Sequence, residues 1–305
     1  MAIEKSDALV LRSIKYGETS KILTLLTREF GLLKAIAKGV RGARPKFGSA
    51  LEAFACSEIV VYRRRDRDMH LIGSADLIEA HLPLGANLSR YAFASAVVEF
   101  VPRVVTGDSP VGASGGTPGG TPGGTPGDTA GDSTVDRPET GADTPPAVLS
   151  ESAALYQEAC GAVDLMTLAP LETLPYVLRA FQLRFISLLG HGMELHTCLD
   201  CGREIGEAGG RGLGPTAGVL ALSAGQGGLF CADCAHDAAG TVAVTPAALA
   251  VLRAYVENDL AVAARQKLQP AVRAEVGRIM EAFLTAQFDG YRGLRSMKLA
   301  ASARA

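Results

Sequence analysis

Two pairs of cysteines, Cys198-x-x-Cys201 and Cys231-x-x-Cys234, carry the strongest chemical signal in this 305-residue chain. Each pair is a knuckle that turns two thiolates toward one point. Two knuckles supply four sulfurs in a tetrahedron, the closed geometry of structural zinc. A closed shell has no position for water or substrate, so the expected cofactor is a structural Zn2+. Gly202 follows the first pair, where a tight turn around a metal needs a residue that tolerates positive φ. The gap between Cys201 and Cys231 exceeds the commonest ribbon spacing of roughly 15–20 residues. Gly206, Gly209, Gly210, Gly212 and Gly214 let that loop bulge outward. Two disulfides would instead require an oxidising compartment, and Glu4, Lys5 and Asp7 interrupt the apolar run a secretory signal would need. A thioredoxin-like dithiol would use one CxxC and leave the other idle. His196 and His236 flank the cysteines as substitute ligands, whereas Cys56 and Cys160 sit in apolar stretches and read as small core residues.

A second constellation is basic. Lys34, Lys38, Arg41, Arg44 and Lys46 follow one another, and no acidic residue interrupts from Leu32 to Leu51. Gly39, Gly42, Pro45 and Gly48 make most of this stretch a loop. A basic loop can track a phosphate backbone, because mobile side chains and exposed N–H groups both reach oxygens. Phe47 lies within it as a candidate stacking residue, a contribution of ~1–3 kcal/mol per base; the alternative is a solvated surface loop with Phe47 packed inward. A second cluster, Arg63-Arg64-Arg65-Asp66-Arg67, reads either as an extension of this track, partly neutralised by Asp66 and Asp68, or as a plain charged hairpin tip. From Met1 to Ala80 fourteen Lys/Arg face ten Asp/Glu, although the whole chain has a formal charge of −2. That asymmetry marks the N-terminal part for an anionic partner.

The elements that must hold these residues follow from pattern and punctuation. Ala8–Ile14, Ser20–Thr27, Leu32–Ala37, Cys56–Tyr62 and Met69–Ile78 read as five short strands with turn signals between them. That spacing suits a small closed barrel, either an OB-fold or an SH3-like barrel, which periodicity alone does not separate. Asn87 is the N-cap of a helix over 87–105. Gly-Gly-Thr-Pro then repeats three times from Gly115 to Gly127. This low-complexity tract, about 106–146, buries too little apolar surface to fold and is expected to be a disordered insertion. Helical sequence resumes from about Val148 to Leu168 and again from Pro175 to a stop at Gly190. Val219–Ser223 and Leu229–Phe230 read as short strands beside the cysteines. Thr245-Pro246 and Pro270 open two further helices, and a short basic tail carries Arg292, Arg295 and Lys298. The fold class is therefore α+β: a barrel over 1–80, then a helical domain over 81–305 with a four-cysteine zinc-finger unit at about 196–236 embedded in it.

No active site emerges. The five histidines form no HExxH set, and no Walker loop, GxSxG or GxGxxG joins a strand to a helix. No apolar run approaches the ~20 residues of a membrane span. The expectation is a soluble, non-enzymatic, cytoplasmic protein.

Four stretches resemble the bacterial recombination mediators of the RecO family. They are ALVLRSIKYGETSKILTLLTREFGLLKAIAKG (8–39), FGSALEAF (47–54), LRAFQLRFISLLGHGMELHTCLDCG (178–202) and LRSMKL (294–299). The resemblance covers nearly the whole chain except about 106–146. It implies an N-terminal OB-fold and a helical domain with a zinc finger. It also implies binding of single- and double-stranded DNA, annealing of complementary strands, and a nucleoid-associated place in the cytoplasm. The implied partners are RecR, the acidic C-terminal tail of single-stranded DNA-binding protein (SSB) and, indirectly, RecA. The alternatives are a zinc-ribbon DNA-binding regulator, which predicts sequence preference, and a CxxC redox protein, which predicts turnover of a disulfide substrate.

Overall fold

The computed structural model describes residues 2–41, 46–63, 69–106, 150–206, 220–235 and 240–302. Arg44, Arg64, Arg65, His236 and the Gly-Thr-Pro insertion lie outside the described residues.

The first eighty residues alternate apolar and polar side chains, which gives each strand an inner and an outer face. The strands are β1 (Ala2–Tyr16), β2 (Ser20–Thr27), β3 (Gly31–Ala37), β4 (Cys56–Arg63) and β5 (Met69–Glu79). They close in the order β1-β2-β3-β5-β4. Closure depends on one parallel pairing, in which Lys34, Ala35 and Ile36 of β3 meet Met69, His70 and Leu71 of β5. This order, with β3 and β5 side by side, is the five-stranded Greek-key arrangement of the OB-fold. The strand expected at Ala8–Ile14 extends at both ends. Its N-terminal half pairs with β4 and its C-terminal half with β2, with a bulge between Val10 and Arg12. Ile3, Glu4 and Lys5 have no strong local strand signal; the β4 ladder orders them.

Adjacent residues on these strands serve two cores. Ala8, Val10, Leu23, Leu25, Leu33, Ala35, Ile59 and Val61 fill the barrel. Leu9, Leu11 and Leu26, one residue out of phase, join Phe54 and Cys56 against the helices. The helices are α1 (Leu88–Val105), α2 (Glu151–Leu168), α3 (Leu174–Leu188), α4 (Pro246–Glu257), α5 (Leu260–Ala263), α6 (Pro270–Gln287) and α7 (Arg295–Ser302). Asn87 caps α1, its side chain accepting from the Arg90 N–H at 3.0 Å. Ser150 and Thr245 cap α2 and α4 in the same way. Phe100 of α1 makes edge contacts with Phe181 and Phe185 of α3 and with Tyr291. Among the described residues no helix is long and apolar enough to cross a membrane.

The basic tail is a helix, α7, which its sequence alone did not suggest. The carboxylate of Glu99 on α1 accepts from the N–H groups of Arg295 and Ser296 at 2.9 Å each and from the Ser296 hydroxyl at 2.6 Å. Arg103 pairs with the same carboxylate at 2.5 Å. Burial alone would push Glu99 up, but the Ser296 and Arg295 donors and the Arg103 charge hold it below the ordinary carboxylate range. A depressed carboxylate contributes stability above its unfolded value, roughly 4.3, and that contribution is lost as pH falls through the folded value. Glu99→Ala should therefore free α7 and cost about 2–3 kcal/mol at neutral pH, the scale of hydrogen bonds to a charged group. Urea unfolding at pH 7 and at about pH 2, below the depressed folded value, checks this. The variant and the native chain should converge at the lower pH.

Candidate metal centre and nucleic-acid interface

The four cysteines converge. Cys198 ends β6 (Glu194–Cys198), and Cys231 follows β8 (Gly228–Phe230). These strands lie parallel in a sheet of order β6-β8-β7-β9, completed by β7 (Leu220–Ser223) and β9 (Thr241–Val244). The Leu199 N–H donates to the Leu229 carbonyl at 2.8 Å, which sets the two knuckles side by side. A Cβ on Gly228 would lie 2.7 Å from Leu199, so the close approach requires glycine there. Gly202 sits at φ +68, and its N–H closes the first knuckle on the Cys198 carbonyl at 3.0 Å. Buried Arg253 of α4 donates to the Leu195 carbonyl at 2.7 and 3.0 Å and also to Ile205. Gln287 of α6 donates to the Ala224 and Gly225 carbonyls at 2.9 and 3.0 Å. The four-cysteine unit is thereby anchored to the helical core.

The ligand atoms of Cys198, Cys201, Cys231 and Cys234 all lie within 4.8 Å of one another, and the Cys201 and Cys231 sulfurs are 3.8 Å apart. A tetrahedron with Zn–S bonds of ~2.3 Å has an S···S edge of ~3.8 Å. The donor set therefore fits zinc. Four thiolates cannot share this volume without a cation. Burial opposes ionisation of Cys198, yet the N–H groups of Cys231, Cys201 and Asp200 bring it down to about 6. Cys234 is pushed well up, first by its hydrogen bond to Asp200 and then by the other thiols. With all four sulfurs on one centre, neither CxxC stands apart as a redox pair. His196 turns to Glu257 at 3.0 Å instead of entering the sulfur set.

The basic residues separate into free and committed ones. Lys34, Lys38 and Lys46 are exposed and have no ion-pair partner among the described residues. Register places Lys34 of β3 beside Thr24 of β2, and Thr24 beside Arg12 of β1. The neighbouring row on this face is Ile14, Ile22 and Ile36, continuing to Leu71 on β5. Tyr16, 55% exposed, stands at the end of β1 beside the β1–β2 turn. The face of β2 and β3 with the β1–β2 and β4–β5 loops is where OB barrels take oligonucleotides. Arg12 and Tyr16 were missed in the sequence. Their signal was the alternation Arg12, Ile14, Tyr16, which is meaningful only once the bulge after Val10 sets the phase.

Three expected contacts take other partners. Phe47 is 7% exposed and packs into the barrel core, so its ring is not displayed for stacking. The basic loop returns to the barrel here, and burying an aromatic ring outweighs leaving it in water. Arg41 is half-buried; its guanidinium donates to the Gly17 carbonyl and its N–H to the Thr19 carbonyl at 3.1 Å. It ties the β1–β2 turn to the loop after β3. Arg63 pairs with Glu4 at 2.9 Å and lies 4.4 Å over the Phe30 ring.

A closed OB barrel ahead of a helical body that carries a cluster of four thiols able to hold one metal ion is the class these features define. Residues 1–81 match the family model Recombination protein O N terminal, and residues 150–296 match Recombination protein O C terminal. The chain belongs to the RecO family. Similar proteins named DNA repair protein RecO include one from Anaeromyxobacter sp. (strain Fw109-5), 30% identical over 92% of this chain and 89% of the relative. Others come from Heliobacterium modesticaldum, 28% identical over 95% and 87%, and Rubrobacter xylanophilus, 28% identical over 90% and 92%.

Proposed function

We propose that this chain is a DNA repair and recombination mediator that binds single- and double-stranded DNA and anneals complementary strands. With RecR it helps load RecA onto strands covered by SSB. The observation that carries this reading is the outer barrel face, where Arg12 and Lys34 lie beside an isoleucine row and exposed Lys38 and Lys46 follow in the loop after β3, none of the four ion-paired among the described residues. The family membership and the name DNA repair protein RecO of its relatives support the same role. Phosphates meet the lysines and Arg12, while Tyr16 is placed to stack on a base. With one exposed aromatic at the rim, charge outweighs stacking, so binding depends little on sequence and strongly on salt. Annealing needs only that two neutralised strands meet with their base edges free, which is binding without bond cleavage. The metal, held by Cys198, Cys201, Cys231 and Cys234, supplies structure to the helical body.

For the acidic SSB tail the helical body offers Arg292, Arg295 and Lys298 around a hollow of about 380 Å³. Arg179 and Arg184 are not available to partners. Arg179 is half-buried and donates to the Gly277 carbonyl, and Arg184 grips Glu158 and the carbonyls of Val256 and Asn258. The test is annealing of two complementary oligonucleotides coated with SSB. The native chain should accelerate it, and a Lys34/Lys38/Lys46 triple-alanine variant should lose most of that acceleration. No acceleration by the zinc-loaded native chain at low salt would overturn the mediator reading. A preference between two unrelated oligonucleotides would favour a sequence-reading regulator.

A further inference from the structure

The barrel meets the helical body at a cluster that neither DNA binding nor the metal centre uses. Cys56 at the start of β4 and Cys160 on α2 point at one another, with their sulfurs 3.5 Å apart across a separation of 104 residues. Beside them, His81 is held at both ring nitrogens. Nδ1 lies 2.8 Å from the Phe54 carbonyl and Nε2 lies 2.6 Å from the Asp164 carboxylate. A carbonyl and an ionised carboxylate only accept, so both nitrogens must carry hydrogen and the ring is an imidazolium. The Asp164 side chain is 53% exposed, and the His81 ring is buried. His81 therefore cannot act as a base toward Cys56; it supplies a fixed positive charge. Phe54 and His81 are also the two non-glycine positive-φ residues among the described ones, at 69° and 48°. Strain of this kind persists where surrounding structure holds it, and it concentrates at sites that do something.

We propose that Cys56 and Cys160 form a peroxide-reactive thiol pair whose oxidation to a disulfide staples the barrel to the helical body. Burial opposes the shift at Cys56 and supports the one at Cys160, and the directions agree with this division of labour. Cys56 is held below the usual thiol value, first by the hydrogen bond from Cys160 and further by the His81 charge. Cys160 is pushed well above it by Cys56 and by burial. The thiolate, not the thiol, is the nucleophile. Cys56 attacks a hydroperoxide oxygen; an S–O bond forms, the O–O bond breaks, and the leaving alkoxide or hydroxide takes a proton. Cys160 then attacks the sulfenic sulfur; the S–S bond forms, the S–O bond breaks, and the departing hydroxide leaves as water with the Cys160 proton. Two thiols lose two electrons and the peroxide gains them. The sulfurs must close from 3.5 Å to about 2.05 Å, within reach of side-chain rotation. Cys56 is buried and Cys160 half-buried, so the reaction is restricted to a small oxidant.

The zinc-loaded full chain treated with hydrogen peroxide, alkylated and digested without reductant reads this out by mass spectrometry. The expected product is a Cys56–Cys160 cross-linked peptide that dithiothreitol reverses, formed while Cys198, Cys201, Cys231 and Cys234 still hold zinc. Cys160→Ser should trap Cys56 as a dimedone-labelled sulfenic acid, and Cys56→Ser should leave Cys160 unlabelled. His81→Asn should slow the labelling several-fold. The proposal fails if Cys56 and Cys160 stay alkylatable at peroxide levels that already oxidise the zinc thiols and release the metal. It also fails if Cys160 is labelled in place of Cys56. Native-chain mapping alone decides the first point if a variant does not fold.

Discussion

Replacing Lys34, Lys38 and Lys46 together by alanine should flatten the salt dependence of single-strand binding by about 2 log units per log unit of salt. Each neutralised phosphate contributes a slope of roughly 0.7 on single strands. At ~0.1 M salt, one decade below a 1 M reference, three lost contacts weaken binding by about a hundredfold. The three lysines are the right choice because they stand exposed without ion partners among the described residues, so their removal costs the fold little. Arg41 is left in place, since its guanidinium on the Gly17 carbonyl holds two loops of the barrel together. Fluorescence anisotropy across a salt series on two unrelated oligonucleotides measures both slope and sequence preference. An unchanged slope with a correctly folded variant would move the phosphate track off this face.

Cys231→Ser should abolish stoichiometric zinc and collapse the small sheet. The free energy tied to a structural zinc is on the order of 10 kcal/mol in small zinc units. Here the sheet's apolar residues, Leu195, Leu222, Leu229 and Phe230, belong to the same core as α3, α4 and α6. Losing the metal should therefore lower the thermal midpoint of the helical body as well as unfold the knuckles. The barrel has its own core of residues such as Val10, Leu25 and Ile59, so its DNA salt slope should survive. Metal content by mass spectrometry, a thermal scan and the salt series together give three readouts. A native chain without zinc, melting at the same temperature as Cys231→Ser, would remove the metal from the structure's account.

Much of the architecture was legible in the residues. Strands 20–27, 31–37 and 56–63 fall within a residue of their expected bounds because each alternates and ends at a turn or charge signal. The caps at Asn87 and Thr245 and the stop at Gly190, φ +82, follow from local backbone chemistry. The four sulfurs met as their CxxC spacing required, since a knuckle is a local turn. OB rather than SH3-like topology was not legible. It rests on the β3–β5 parallel pairing, a contact between segments more than thirty residues apart.

The sequence by itself determined which elements form, which thiols can share a metal and which end of the chain is cationic, because period, turn residues and ligand spacing are short-range properties. Only the tertiary structure decided which of those charges remain free. Remote carbonyls and carboxylates claim Arg41, Arg63, Arg179 and Arg184, and the barrel core claims Phe47. It likewise brought Cys56 to Cys160 and Glu99 to the last helix. A side chain's local pattern states what it can do; the partner that uses it comes from far along the chain, and packing alone brings the two together.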